Sequence, residues 1–271
     1  LDASKAAGLL GRLREARPLV QNITNYVSMD IMANALLAAG ASPAMVHAPE
    51  EAADFAAIAG AVSINIGTLS APWVASMLAT AERATALGKP WVLDPVGAGA
   101  TRYRDETAAA LARLRPTAIR ANASEVLALA QGIGTTRGVD SAHGSEQAVG
   151  AARVLARETG SVVAVTGRVD YVTDGTRVVV VANGHPTMTL VTAVGCSVSA
   201  LAAAFLSLGG DPVEATAAAL AFAGVAGDVA GEGDPGPGTF RLRWIDALHA
   251  LTPAGLEARA DIGLIGARDG D

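Results

Sequence analysis

Val191-Thr-Ala-Val-Gly-Cys-Ser-Val-Ser-Ala-Leu-Ala-Ala-Ala-Phe205 runs from a β-branched apolar segment through a tight turn into an alanine-rich helical pattern. A strand or connector feeding a helix in this way leaves the first N–H groups of the helix without intrahelical partners, at the positive end of its dipole. Such an end holds phosphate, or another developing anion, without basic side chains. Cys196, the single cysteine among 271 residues, lies at that point. A thiol at a helix N-terminus has a lowered pKa and can take a proton. A lone cysteine is also commonly a small buried hydrophobe, so position alone leaves both readings open.

A second set of polar groups is scattered along the chain: Asn25, Met45 with His47, Gly67, Asp94, Arg120 with Asn122, and Thr166 with Gly167. Each lies at or just past the end of a short apolar run of strand length. Ligands of open α/β sheets bind at the carboxyl ends of the strands, so these residues should share one rim. Singly, each has a structural explanation. Asp94 can cap a turn before Pro95, Arg120 can pair with a surface acid, Thr166 can finish a strand, and Glu125 has the spacing of a capping box with Asn122. Together, the carboxylates Asp94 and Glu125, one Arg, one Thr and a helix-end anion hole compose a site for a magnesium nucleotide.

The elements that must carry these groups alternate. Apolar periodicity predicts helices over 4–16, 27–39, 50–59, 71–87, 104–114, 124–131 and 145–159, with strands over 18–25, 42–47, 62–66, 90–96, 117–122 and 161–167. That rhythm argues for an α/β fold with a mainly parallel sheet covered on both faces. Tyr171-Val-Thr, Asp174-Gly175 and Arg177-Val-Val-Val-Val-Ala182 break it and read as an antiparallel hairpin. Helices follow over 197–208, 212–231, 239–251 and 253–260. Neither a low-complexity linker nor a fixed-period repeat interrupts residues 1–271, which read as one domain.

Composition narrows the function. The net charge of −6 argues against a nucleic-acid partner. Val213 to Ala230 is the most apolar helix but contains Glu214 and Asp228, which favours a buried core helix over a membrane span. One cysteine excludes an intramolecular disulfide framework and points to a reducing, cytoplasmic setting. Leu1 stands where an initiating Met would, which reads as a processed or trimmed end. The P-loop signature is absent, since Gly88-Lys89 runs into Pro90. Gly231-Glu-Gly-Asp-Pro-Gly236 has dinucleotide-binding spacing but follows a helix and contains Pro. His47, His143, His185 and His249 show no metal-ligand spacing.

Several of these pieces resemble the hydroxyethylthiazole kinase family of the ribokinase-like fold. They are Pro18-Leu-Val-Gln-Asn-Ile-Thr-Asn-Tyr-Val, Asn65-Ile-Gly-Thr-Leu69, Asp94-Pro-Val-Gly-Ala-Gly-Ala-Thr-Arg, Ile119-Arg-Ala-Asn-Ala-Ser-Glu125, Val165-Thr-Gly167 and the Thr192–Cys196 turn. The resemblance covers about residues 8 to 255. It implies a three-layer αβα sandwich with the antiparallel hairpin near the sheet edge, and transfer of the ATP γ-phosphate to the alcohol of 4-methyl-5-(2-hydroxyethyl)thiazole. It further implies that Arg120 and Thr166 contact ATP, Asp94 and Glu125 hold Mg2+, and Met45, Asn25, Gly67 and the Ala193 backbone border the thiazole. Cys196 would be the base for the alcohol, and a homotrimer would place each site between subunits. Other ribokinase-like enzymes, a hydroxymethylpyrimidine kinase or an ATP-dependent NAD(P)H-hydrate dehydratase, are the nearest alternatives. The family turn usually reads Thr-Gly-x-Gly-Cys, so Ala193 must adopt negative φ or carry modest strain, with its methyl expected to narrow the thiazole pocket.

Overall fold

The computed structural model describes residues 1–134 and 145–265; His143 and the glycine-rich loop from residue 135 onward lie outside the described residues. The first half alternates as expected: α1 (Ala3–Ala16), β1 (Leu19–Ile23), α2 (Met29–Ala39), β2 (Ser42–Ala44), α3 (Ala52–Ile58), β3 (Ala61–Asn65), α4 (Ala71–Ala86) and β4 (Trp91–Asp94). The series continues with α5 (Arg102–Arg113), β5 (Ala118–Asn122), α6 (Ala123–Gly132), α7 (Ser145–Thr159) and β6 (Val162–Thr166). The hairpin β7 (Asp170–Thr173) and β8 (Val178–Val181) precedes α8 (Val194–Leu206), α9 (Pro212–Gly231), α10 (Pro237–Ala250), α11 (Pro253–Arg259) and β9 (Ile262–Ile265).

The strands form one sheet in the order β2-β1-β3-β4-β5-β6-β7-β8-β9. Pairings from β2 across to β6 are parallel, and β7, β8 and β9 add antiparallel neighbours. Because the parallel strands point the same way, Ile23, Ala44, Asn65, Asp94, Asn122 and Thr166 all end on one rim. Alternate residues of each strand feed opposite faces. Val20, Val92, Ala118 and Ala164 join the apolar layer under α1, α2, α8, α9 and α10. Ile23, Ile64, Leu93, Ile119 and Val165 join the layer under α3 to α7. The three-layer sandwich is the expected one.

Local chemistry accounts for the element boundaries that matter here. The Asp211 carboxylate accepts from Val213 N–H at 2.9 Å and starts α9, with Pro212 in its first turn. That helix is long and apolar enough to cross a membrane, yet 83% of its apolar window is buried inside the protein, so here it is a core helix. Of the apolar run at 42–47 only Ser42–Ala44 pairs, as an edge strand where Pro43 needs no ladder donor. β9 and the 3-10 turn over Pro186–Leu190 were not expected. Val191–Thr192 is a connector, and α8 begins earlier than the periodicity predicts.

Ala193, immediately before α8, has φ +66 and ψ +6. Of the two expectations for it, the negative φ is wrong and the strained backbone is right. The left-handed region costs an L-residue on the order of 1–2 kcal/mol, partly offset because glycine has more unfolded-state entropy to lose. Ala193→Gly should therefore stabilise the protein by about 0.5–1 kcal/mol. The check is urea unfolding, where the midpoint should rise with the slope unchanged.

Candidate active site

Asp94 ends β4 with no exposed surface. Its Oδ2 accepts from Asn65 Nδ2 at 2.8 Å and from Ser199 Oγ at 2.8 Å. Its Oδ1 is buried with no hydrogen-bond partner. Burial pushes the carboxyl up to about 6; the Arg120 charge pulls it down, Glu125 pushes it up, and the Ser199 and Asn65 bonds pull it down. Two neutral donors thus fix the carboxylate plane and leave the other oxygen buried without a partner.

Asn65 stands next to it at the end of β3. Its Oδ1 accepts from Asn25 Nδ2 at 2.8 Å and from Gly67 N–H at 2.9 Å. Asn25 Nδ2 also lies 3.5 Å from Cys196 Sγ. Gly67 is where the chain turns over Asn25, and a Cβ there would come within 2.7 Å of Asn25 Nδ2. Sequence-predicted Asn25, Gly67, Asp94 and Cys196 are thereby joined through one amide. Met45 and Ala193 are partly buried on the same rim, both packed with Cys196 against the apolar layer beneath α8.

On the other side of Asp94, Arg120 Nη2 donates to Thr166 Oγ1 at 2.7 Å, across neighbouring strands β5 and β6. The guanidinium lies on the first turn of α8, where a Cβ on Gly195 would come within 2.8 Å of Arg120 Nη1. Gly195 therefore lets a cation reach a helix N-terminus that has no side-chain cap. Of the N–H groups in that turn, Ser197's is spent on Ala193 O at 2.9 Å. That leaves the N–H groups of 194–196 for the anion hole expected at this helix end. Partly buried Asp170 accepts from Gly167 N–H at 2.9 Å, and burial pushes it up to about 6 against the pull of that bond and of Arg120.

Glu125 makes the capping box: its Oε2 accepts from Asn122 N–H at 3.0 Å while Asn122 Oδ1 accepts from Glu125 N–H. Its Oε1 accepts from Gly97 N–H at 2.9 Å, tying the loop after β4 to α6. Arg104 ties that loop to its neighbour, donating from Nη1 to Ile66 O and Val96 O and from Nη2 to Gly67 O, each at 2.8 Å.

Cys196 corrects an expectation. Burial, followed by the Asp94 charge, pushes the thiol up to about 11, while the Asn25 and Asn65 contacts and Arg120 pull the other way. Its place at a helix end does not make it a thiolate. The sequence reading assigned no role to Asn65, Ser199 or Arg104. The available signals were Ser63 and Asn65, polar residues in a strand buried on both faces, and Ser199, three residues from Cys196 on one helix face.

Among the described residues no three His, Cys, Asp or Glu groups cluster to hold a metal. Mg2+ takes one or two carboxylates and completes its shell with phosphate oxygens and water. The unpaired Asp94 Oδ1 fits that demand, whereas both Glu125 oxygens already accept from backbone N–H groups.

The described geometry has close counterparts. The model of the hydroxyethylthiazole kinase family matches residues 10–254. A hydroxyethylthiazole kinase from Cereibacter sphaeroides is 55% identical over 93% of this chain and 95% of its own length. One from Rhizobium leguminosarum bv. trifolii is 54% identical over 94% and 96%. The hydroxyethylthiazole kinase structure from Pyrococcus horikoshii superposes with TM-score 0.90 at 42% identity, covering 96% of this chain and 99% of that one. Pyridoxal kinase from Staphylococcus aureus, at 15% identity and TM-score 0.59 over 78% and 88%, shares the ribokinase-like fold.

Asp94 also predicts a pH effect. An acid raised from 3.8 to about 6 on folding binds its proton more tightly in the folded state, so it adds no penalty below pH 3.8, destabilises progressively as pH rises from there through about 6, and holds a constant penalty above that. Asp94→Asn should therefore raise the ligand-free unfolding free energy by on the order of 2–3 kcal/mol at pH 7.5. The gain should vanish near pH 4. Denaturant unfolding at the two pH values checks it.

Proposed function

Because this chain belongs to the hydroxyethylthiazole kinase family, we propose that it transfers the γ-phosphoryl group of ATP to the primary alcohol of 4-methyl-5-(2-hydroxyethyl)thiazole, yielding the thiazole phosphate used in making thiamine. The observation that carries this reading is the Arg120–Thr166 pair lying against the uncapped N-terminus of α8, one strand away from the buried Asp94. Phosphoryl transfer asks for alignment and charge neutralisation more than for covalent help. Arg120, Thr166 and the N–H groups of 194–196 supply donors on one side of the transferring group. Asn25, Gly67, Met45 and the backbone at Ala193 border the acceptor on the other.

Asp94 and Glu125 would hold Mg2+, which neutralises phosphate charge when bound. Cys196 is the side chain proposed to meet the acceptor hydroxyl. With its pKa near 11 it stays a thiol at neutral pH, so in that form it only orients the alcohol, and the hydroxyl proton can pass to the sulfur only in the small fraction present as thiolate. We place the enzyme in the cytoplasm as one domain per chain. We take it to act as a homotrimer with its sites at the subunit interfaces.

Incubation with ATP, Mg2+ and the thiazole alcohol should give the phosphorylated thiazole. Turnover of a hydroxymethylpyrimidine or dehydration of a nicotinamide hydrate in its place would overturn the assignment. Cys196→Ala should lower kcat about tenfold, well short of the roughly 10²–10⁴ of a full general base, and Cys196→Asp should keep or raise it. An unchanged kcat in Cys196→Ala removes the thiol from proton transfer.

A further inference from the structure

Asn65 has no exposed surface and every polar atom of its side chain is engaged. Its amide cannot be turned around. Gly67 N–H can only donate, so the atom facing it must be Oδ1. Ionised Asp94 can only accept, so the atom facing it must be Nδ2. Oδ1 also takes the Asn25 Nδ2 hydrogen that points in from the loop after β1. The side chain thus receives two donors from the acceptor side of the site and passes one donor to the carboxylate. Ser199 Oγ supplies the only other hydrogen bond described to that carboxylate, from the opposite layer.

We propose that Asn65 is a positioning residue for this reaction, coupling the pocket for the alcohol acceptor to the orientation of the Asp94 carboxylate. The proposal rests on the kinase reading above. Its three bonds act in two directions. Through Oδ1, Asn65 sets the Asn25 amide and the Gly67 turn that border the acceptor. Through Nδ2, together with Ser199, it occupies Asp94 Oδ2 and leaves Oδ1 as the oxygen presented to the site. Asn65 and Ser199 act through other side chains of the site, Asn65 through Asn25, Asp94 and its contact with Cys196, and Ser199 through Asp94.

The two directions can be cut separately. Asn65→Asp keeps an oxygen toward Asn25 and Gly67 but puts an acceptor where Asp94 needs a donor. Asn65→Ala cuts both links. Ser199→Ala removes the second donor to Asp94, along with a longer 3.5 Å contact of the same hydroxyl to Gly195 O one turn back, and replaces it with the residue that dominates its helix. The measurements are acceptor Kd by calorimetry with the thiazole alcohol alone, without ATP or magnesium, and steady-state kcat with both present. A lost hydrogen bond to a charged partner corresponds to about ten- to a hundredfold.

The expected pattern is a split. Asn65→Asp lowers kcat at least about tenfold while acceptor Kd stays within about threefold of the parent. Asn65→Ala loses a similar factor in kcat and also weakens acceptor Kd by about tenfold. Ser199→Ala lowers kcat with acceptor Kd unchanged. If a parent enzyme that phosphorylates the thiazole keeps its kcat in Ser199→Ala, the coupling is overturned even should the Asn65 variants fail to fold. It is overturned equally if Asn65→Asp and Asn65→Ala shift acceptor Kd by the same factor, or if the variants lower only the melting temperature. A parent enzyme with no thiazole turnover instead removes the kinase reading itself.

Discussion

A carboxylate taken fully out of water is the constraint around which this protein is arranged. Desolvation alone would neutralise Asp94, and the fold answers it with partial compensation. Two neutral donors bind one oxygen and a guanidinium acts from the neighbouring strand, yet the second oxygen stays unpaired. A buried polar atom without a partner costs folding free energy, and such exceptions in a packed interior call for a functional reason. On the proposed kinase reading, the unpaired oxygen is the one that would gain a partner when a magnesium nucleotide binds.

Parallel strands make the arrangement possible. They deliver Asn65, Asp94, Asn122 and Thr166 to one edge in register, so residues far apart in sequence meet without long loops. The loops that leave this edge are then pinned from behind. Arg104 spends three bonds on the carbonyls of two of them, and Glu125 holds Gly97 while completing its own helix cap. α8 crosses the same edge with its first turn uncapped, and the absence of a side chain at Gly195 admits Arg120 to it. Pre-organised donors of this kind need no rearrangement as charge develops on a transferring group.

Much of this was legible in the chain. Alternating apolar runs located the six parallel strands, and the rule that ligands gather at strand ends collected Asn25, Gly67, Asp94, Arg120 and Thr166 before any contact was known. The Asn122–Glu125 spacing announced a cap that the structure contains. What stayed hidden depends on surroundings that spacing does not encode. Cys196 sits at a helix end that favours thiolate, but its burial and its nearness to Asp94 work in the opposite direction and prevail. Ser199 looked like one small residue among alanines, because its partner lies 105 residues away. β9 is short, largely exposed and added to a hairpin edge, so its pattern carries little of the alternation by which strands are recognised. Ala193 was recognisable as a departure, but only the backbone shows that it took the strained branch.

The most direct measurement is the titration of Asp94 itself, followed by carboxyl-carbon NMR on aspartate-labelled protein, with Asp94→Asn identifying its resonance. In the ligand-free protein the Asp94 signal should titrate near 6. Addition of Mg2+ and ATP should move the midpoint downward, as positive charge favours the ionised form. A midpoint in the ordinary range near 3.8 without ligands, unmoved when they are added, would contradict the claim that a desolvated, half-satisfied carboxylate organises the site.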